Sequence, residues 1–163
     1  MYDQGGLPRE ARRGKMMQMI SYISESKMPA DKQKLELDTI LRTAQKRNAK
    51  LGISGVLFLR GNTFFQTFEG PTVAVQNLLQ SILADDRHEH LYLLMNEPID
   101  QRRFSSWSME CFHEPSFAED YLGVMHQIGQ HFRDETTFSP SGIYSYCWRM
   151  VAAMASCRLS SAV

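Results

Sequence analysis

The stretch ISGVLFLRGNTFFQTFEGP, residues 53–71, decides the fold. Two runs rich in aliphatic, aromatic and β-branched residues flank Arg60-Gly61-Asn62, a glycine-containing tight turn. That pattern reads as a β-hairpin. Along its second strand Phe64, Gln66 and Phe68 share one face, because side chains alternate. Pro71 then opens a helix, where a missing N–H costs nothing. The helix is predicted over roughly 72–84, with Val75, Leu78, Leu79 and Ile82 as its apolar stripe and Val73 and Leu83 widening it. Upstream, KLELDTILRTAQKRNAKLG reads as a helix whose three/four spacing aligns Leu37, Ile40, Leu41, Ala44 and Asn48, with Gly52 as its stop. Before it, QMISYIS is a strand with Ile20, Tyr22 and Ser24 on one face. HLYLLMN supplies a fourth strand and WSMECF a short fifth, after the polar turn PIDQRR.

The order β-α-β-β-α-β-β predicts an α+β, ferredoxin-like βαββαβ(β) arrangement: a mixed five-stranded sheet with two helices on one face. Residues 1–15 read as a flexible N-terminal tail and 16–112 as the ligand-binding domain. Residues 113–163 read as a C-terminal helical extension, with amphipathic stretches near 116–132 and 141–159 suited to the sheet's bare face. The 163 residues carry 18 basic and 18 acidic side chains and no formal net charge, which argues against nonspecific nucleic-acid binding. No apolar run reaches the ~20 residues of a membrane span. Three scattered cysteines make no disulfide framework. A cytoplasmic protein with no nucleic-acid or membrane partner is expected.

The informative residues are polar ones on apolar faces. Gln66 is aimed into the core between Phe64 and Phe68, Asn48 sits in the first helix's stripe, and Tyr22 lies mid-strand. A buried amide without a partner costs about 1–3 kcal/mol, so each needs one. A core hydrogen-bond network, or a C-terminal capping role for Asn48, would satisfy them. So would a ligand, if the fold brings them together. An amide offers one acceptor and two donors, matching a heterocycle edge with both a carbonyl and an N–H. A slot between two helices lined by Ile40 and Ile82 suits a flat ring. His88 and His90 have HxH spacing but no evident third ligand, so no metal is expected. Glu69, before Gly-Pro, reads as an exposed strand end. Neither a GxGxxG nor a Walker sequence is present.

The segments SYIS, RNAKLGISGVLF, FFQTFEGP, DDRH and RRFSSWSM, with Gln66 18 residues after Asn48 and Trp107 41 after Gln66, resemble the BLUF family of blue-light sensors that use flavin. The resemblance covers about residues 18–112. Ser54 and Phe68 are mild departures from the commoner Thr and Leu. The resemblance implies a flavin held between the two helices, FAD foremost, with FMN and riboflavin open. It implies that Tyr22 and Gln66 are the photoactive pair, that Asn48 holds the pyrimidine edge, and that Ile40 and Ile82 sandwich the ring. Arg87 and His88 would support its polar edge, and Ser24, Trp107 and Met109 would relay the signal. Light would drive proton-coupled electron transfer from Tyr22 to the flavin and leave Gln66 in a new hydrogen-bonding state.

About fifty residues follow Phe112, too few for a cyclase or phosphodiesterase, so a non-enzymatic short-form sensor is expected. Its output would be contact with a downstream signalling protein, through the C-terminal helices or the sheet, together with homo-oligomerisation. Two other readings stay open. One is a flavin-dependent oxidoreductase, which turnover of a reduced nicotinamide would reveal. The other is a non-photoactive ferredoxin-like binding module, which would be colourless. Ordinary core packing is the plain alternative for Trp107 and Met109.

Overall fold

The computed structural model describes residues 16–104 and 109–112, together with Arg149. Its elements are β1 (Met17–Ser26), α1 (Gln33–Leu51), β2 (Ser54–Arg60), β3 (Thr63–Pro71), α2 (Thr72–Leu83), β4 (His88–Ile99) and β5 (Glu110–Phe112). They form one sheet in the order β4-β1-β3-β2-β5. β1 runs antiparallel to both β3 and β4, β2 antiparallel to β3, and β5 parallel to β2. This is the mixed five-stranded, ferredoxin-like α+β fold that the element order implies. The expected tail over 1–15, the C-terminal helices and Trp107 lie outside the described residues.

The central register fixes the site. Tyr22 on β1 pairs directly with Gln66 on β3, and Leu57 on β2 pairs with Gln66 from the other side. Alternation then puts Ile20, Tyr22, Phe64 and Phe68 on the face where Leu37 of α1 and Val75, Leu78 and Leu79 of α2 pack, in one core cluster. The opposite face holds the buried Met19, Ile23, Val56, Phe65 and Met95, and the Ser21 and Thr67 hydroxyls pair there at 2.7 Å.

α1 ends as its sequence predicts, for a specific reason. Gly52 takes the left-handed conformation (φ 67°), which glycine adopts without strain. The Ile53 N–H then bonds to the Asn48 carbonyl at 2.9 Å and the Gly52 N–H to the Ala49 carbonyl at 3.4 Å, the paired bonds of a left-handed helix cap. Asn48 therefore serves the cap through its main chain, which leaves its side chain for another purpose.

Three expectations need correction. Val73 and Leu83 do not widen the buried stripe of α2: they are 73% and 53% exposed, because they sit at the helix ends and point away from the sheet. β4 is longer than HLYLLMN and takes in His88 and Pro98-Ile99, since it follows β1 almost end to end with two register shifts. The fifth strand is only Glu110–Phe112, so Met109 precedes it instead of alternating within it. Among the described residues no helix is long and apolar enough to cross a membrane.

Candidate functional site

Between α1, α2 and the sheet lies a cavity of ≈320 Å³, within the range of small-molecule and cofactor pockets. Its apolar lining comes from Ile40 and Ala44 of α1, Leu57 of β2, and Leu78 and Ile82 of α2. Its polar lining includes Tyr22, Asn48, Gln66, Arg87 and His88. The fold thus brings seven of the expected site residues, Tyr22, Ile40, Asn48, Gln66, Ile82, Arg87 and His88, to one cavity.

The Tyr22 hydroxyl donates to Gln66 Oε1 at 2.5 Å. The other end of the same amide, Nε2, donates to Met109 Sδ at 3.4 Å. Gln66 therefore bridges a phenol and a thioether, with its acceptor toward one and its donor toward the other. Met109 packs inward and is 1% exposed. Burial pushes the Tyr22 phenol well above its usual range, and the negative charge of Asp85 adds to this. Tyr22 is consequently a neutral hydrogen-bond donor at any ordinary pH.

Asn48 is 1% exposed, yet among the described residues neither its Oδ1 nor its Nδ2 has a hydrogen-bond partner. Among the described residues no core network or side-chain cap satisfies it. A buried amide left unmet costs about 1–3 kcal/mol. A ligand edge offering both a donor and an acceptor would relieve that cost. Ser24 Oγ is also buried, with no partner among the described residues; the residue shares Tyr22's face of β1 but is not among those lining the cavity.

His88 stacks beside Tyr22, with ring centroids 6.3 Å apart. Its Nε2 lies 2.9 Å from the Ile82 carbonyl, so that nitrogen carries the proton, and its buried Nδ1 has no partner among the described residues. His90 instead approaches Glu25 at 3.4 Å, so the two histidines of the HxH pair make different contacts. Arg87 is held by Asp85, its Nε donating to both carboxylate oxygens at 2.8 and 3.1 Å. Those side-chain bonds from Arg87 hold the Asp85 carboxyl below the usual carboxylate range, although burial works against them. Arg87 thus reaches the cavity as part of an ion pair.

Comparison with known proteins places this geometry. The BLUF family model, sensors of blue light using FAD, matches residues 17–110. The chain belongs to the BLUF family. The photoactivated adenylate cyclase subunit beta of Euglena longa is 33% identical over 130 residues, which are 78% of this chain and 15% of that protein. The blue light- and temperature-regulated antirepressor BluF of Escherichia coli is 29% identical over 94 residues, 58% of this chain and 23% of that protein. The dark-state structure of BlrB, a BLUF protein, superposes with a TM-score of 0.65 at 26% identity, covering 88% of this chain and 98% of the other. The chain spans only about 15% of the length of the photoactivated cyclases it matches. FAD is the cofactor of BLUF domains, and the residues present fit a flavin: aliphatic walls on two helices for a flat ring, and an unpaired amide for its edge.

The BLUF domain also uses residues that sequence reasoning passed over. Glu69 is not an exposed strand end but 0% exposed. Its Oε1 accepts from Ser54 Oγ at 3.1 Å and from the Phe104 N–H at 2.6 Å, and its Oε2 accepts from the Arg103 N–H at 2.8 Å. The buried carboxylate is satisfied by main-chain donors of the segment between β4 and β5. Arg102 reinforces it by donating to Ser54 Oγ at 3.0 Å. Gln45, an exposed residue of α1, donates from Nε2 to the Met109 carbonyl at 2.9 Å. Neither role has a local sequence signal, since the partners lie between 15 and 64 residues away.

Proposed function

We propose that this chain is a blue-light receptor in which the Gln66 amide is the switch and Tyr22 its electron and proton source. The observation that supports this most is the Tyr22–Gln66–Met109 chain of hydrogen bonds at the wall of the cavity. A bound flavin supplies the blue-light chromophore and the electron acceptor. Asn48 offers both ends of its amide to the ligand's polar edge, with Ile40 and Ile82 on either side of the ring and Arg87 and His88 supporting the rim. Tyr22 gives up an electron and its phenolic proton, the proton meeting Gln66 Oε1 first, and both return as the ground state is restored.

Gln66 is left rotated or tautomerised. Rotation exchanges donor for acceptor at both ends of the amide, so Tyr22 must accept instead of donate, and Met109 Sδ, itself only an acceptor, faces an oxygen. Hydrogen bonds in such a site are worth about 0.5–1.5 kcal/mol each. The Tyr22 bond reverses but the Met109 bond is lost, which shifts a local equilibrium by roughly twofold to thirteenfold. Met109, with Ser24 and Trp107, forms the route outward.

The output is protein–protein contact with a downstream signalling partner, with self-association, through the sheet or the segment 113–163. The flavin-binding unit is taken as residues 16–112, flanked by 1–15 and 113–163, and the photochemistry itself calls for no enzymatic activity. The test is the visible spectrum of the purified, flavin-bound protein before and after blue light, with Tyr22→Phe beside it. The parent should show a reversible red shift that decays in darkness, and Tyr22→Phe should keep its flavin but lose the shift. A full photocycle in Tyr22→Phe would remove Tyr22 from its role. Steady oxidation of a reduced nicotinamide would replace the receptor reading with a redox enzyme.

A further inference from the structure

Met109 is held at two points by two different amides. Gln66 of β3 donates to its sulfur at 3.4 Å, and Gln45 of α1 donates to its main-chain carbonyl at 2.9 Å. The second bond is the shorter, and it does not involve the switch. Met109 immediately precedes β5, which pairs with β2 over only Val56, Leu57 and Phe58. A three-residue edge strand is weakly anchored by its ladder alone. Gln45 lies one position after Ala44 and three before Asn48, both of which line the cavity, yet it does not line the cavity itself. It connects the helix that walls the cavity to the segment that touches the switch.

We infer that Gln45 is a positioning residue: it fixes the Met109 main chain so that a change at Gln66 moves the Met109 side chain instead of being absorbed by a sliding backbone. The inference rests on the receptor reading above. With the carbonyl tethered, replacing the Gln66 N–H by an oxygen leaves the thioether facing an acceptor, and the side chain must change rotamer. Without the tether, the main chain can drift and the inward position of Met109 is only partly populated, even in darkness.

The experiment uses the full-length, flavin-bound chain with methionine methyl groups labelled for NMR, the Met109 signal being assigned by its loss in Met109→Leu. Gln45→Glu keeps the length and the helical preference but removes the donor; Gln45→Lys keeps an N–H donor on an exposed helix position. Gln45→Glu should retain the flavin red shift, shift and broaden the dark Met109 methyl signal, and at least halve its light-induced displacement. Gln45→Lys should restore both toward the parent. A Met109 signal in Gln45→Glu that matches the parent in darkness and in light would overturn the inference, as would equal loss in both variants. The dark signal needs no photocycle, so it tests the tether even if the parent shows no red shift, an outcome that would instead count against the receptor reading.

Discussion

Replacing Asn48 by leucine should move two properties of this protein in opposite directions. The Asn48 amide is buried and neither of its polar atoms has a partner among the described residues. Leucine removes that desolvation cost and faces a cavity with room for its branch. The gain in the apo-protein should be about 1–3 kcal/mol, or a rise in midpoint of roughly 2–4 °C for each kcal/mol in a chain of this size. In the flavin complex the same change deletes two hydrogen bonds worth about 0.5–1.5 kcal/mol each, so affinity should fall roughly fivefold to 150-fold. Thermal melts of apo-protein and titration of apo-protein with FAD read the two effects separately. An apo-protein that melts lower than the parent would mean that the amide has a partner in the fold, and unchanged FAD affinity would mean that it does not meet the ligand. Either result refutes the assignment of Asn48.

Two further outcomes follow from the same contacts. Glu69→Gln should lower stability by about 1–3 kcal/mol, because Ser54, Arg103 and Phe104 all donate to this carboxylate and one amide end would meet a donor; thermal melts of the flavin-bound protein check it, and an unchanged midpoint would show that the buried charge does not hold the segment. Asp85 is held below its ordinary pKa of about 3.9 chiefly by Arg87. Its contribution to stability is therefore present above that pH and lost as the pH falls through the lowered folded value. Denaturant midpoints of Asp85→Asn should accordingly fall less steeply below about pH 4 than the parent's, and identical acid limbs would show that the partly exposed pair contributes nothing.

Much of the fold is legible in the chain because its patterning is local. Residues 53–71 declare a hairpin, two helices carry their stripes, and alternation along β1 and β3 puts Tyr22 and Gln66 on the face the helices cover. Their direct pairing is a matter of register, which the structure supplies. Asn48 was legible as an anomaly, a polar residue in an apolar stripe, and the lack of a partner for its amide among the described residues is what supports the proposed ligand contact. What escaped depends on distance. Glu69 looks like a strand end until the Arg103 and Phe104 N–H groups arrive from beyond β4. Gln45 looks like any exposed helix residue until Met109 is brought beside it. Val73, two residues before Val75, falls off the three/four spacing of the stripe, and Leu83 keeps that spacing only in the last, exposed turn.

The central claim is that the Gln66 amide switches the site. The most direct measurement is the light-minus-dark visible spectrum of Gln66→Leu with flavin bound. Leucine fills the same space beside Tyr22 and Met109 but has no donor or acceptor to exchange. A bound flavin whose spectrum does not shift under blue light, beside a parent that shifts and recovers, is the predicted result. A reversible shift of parental size in Gln66→Leu would contradict the account.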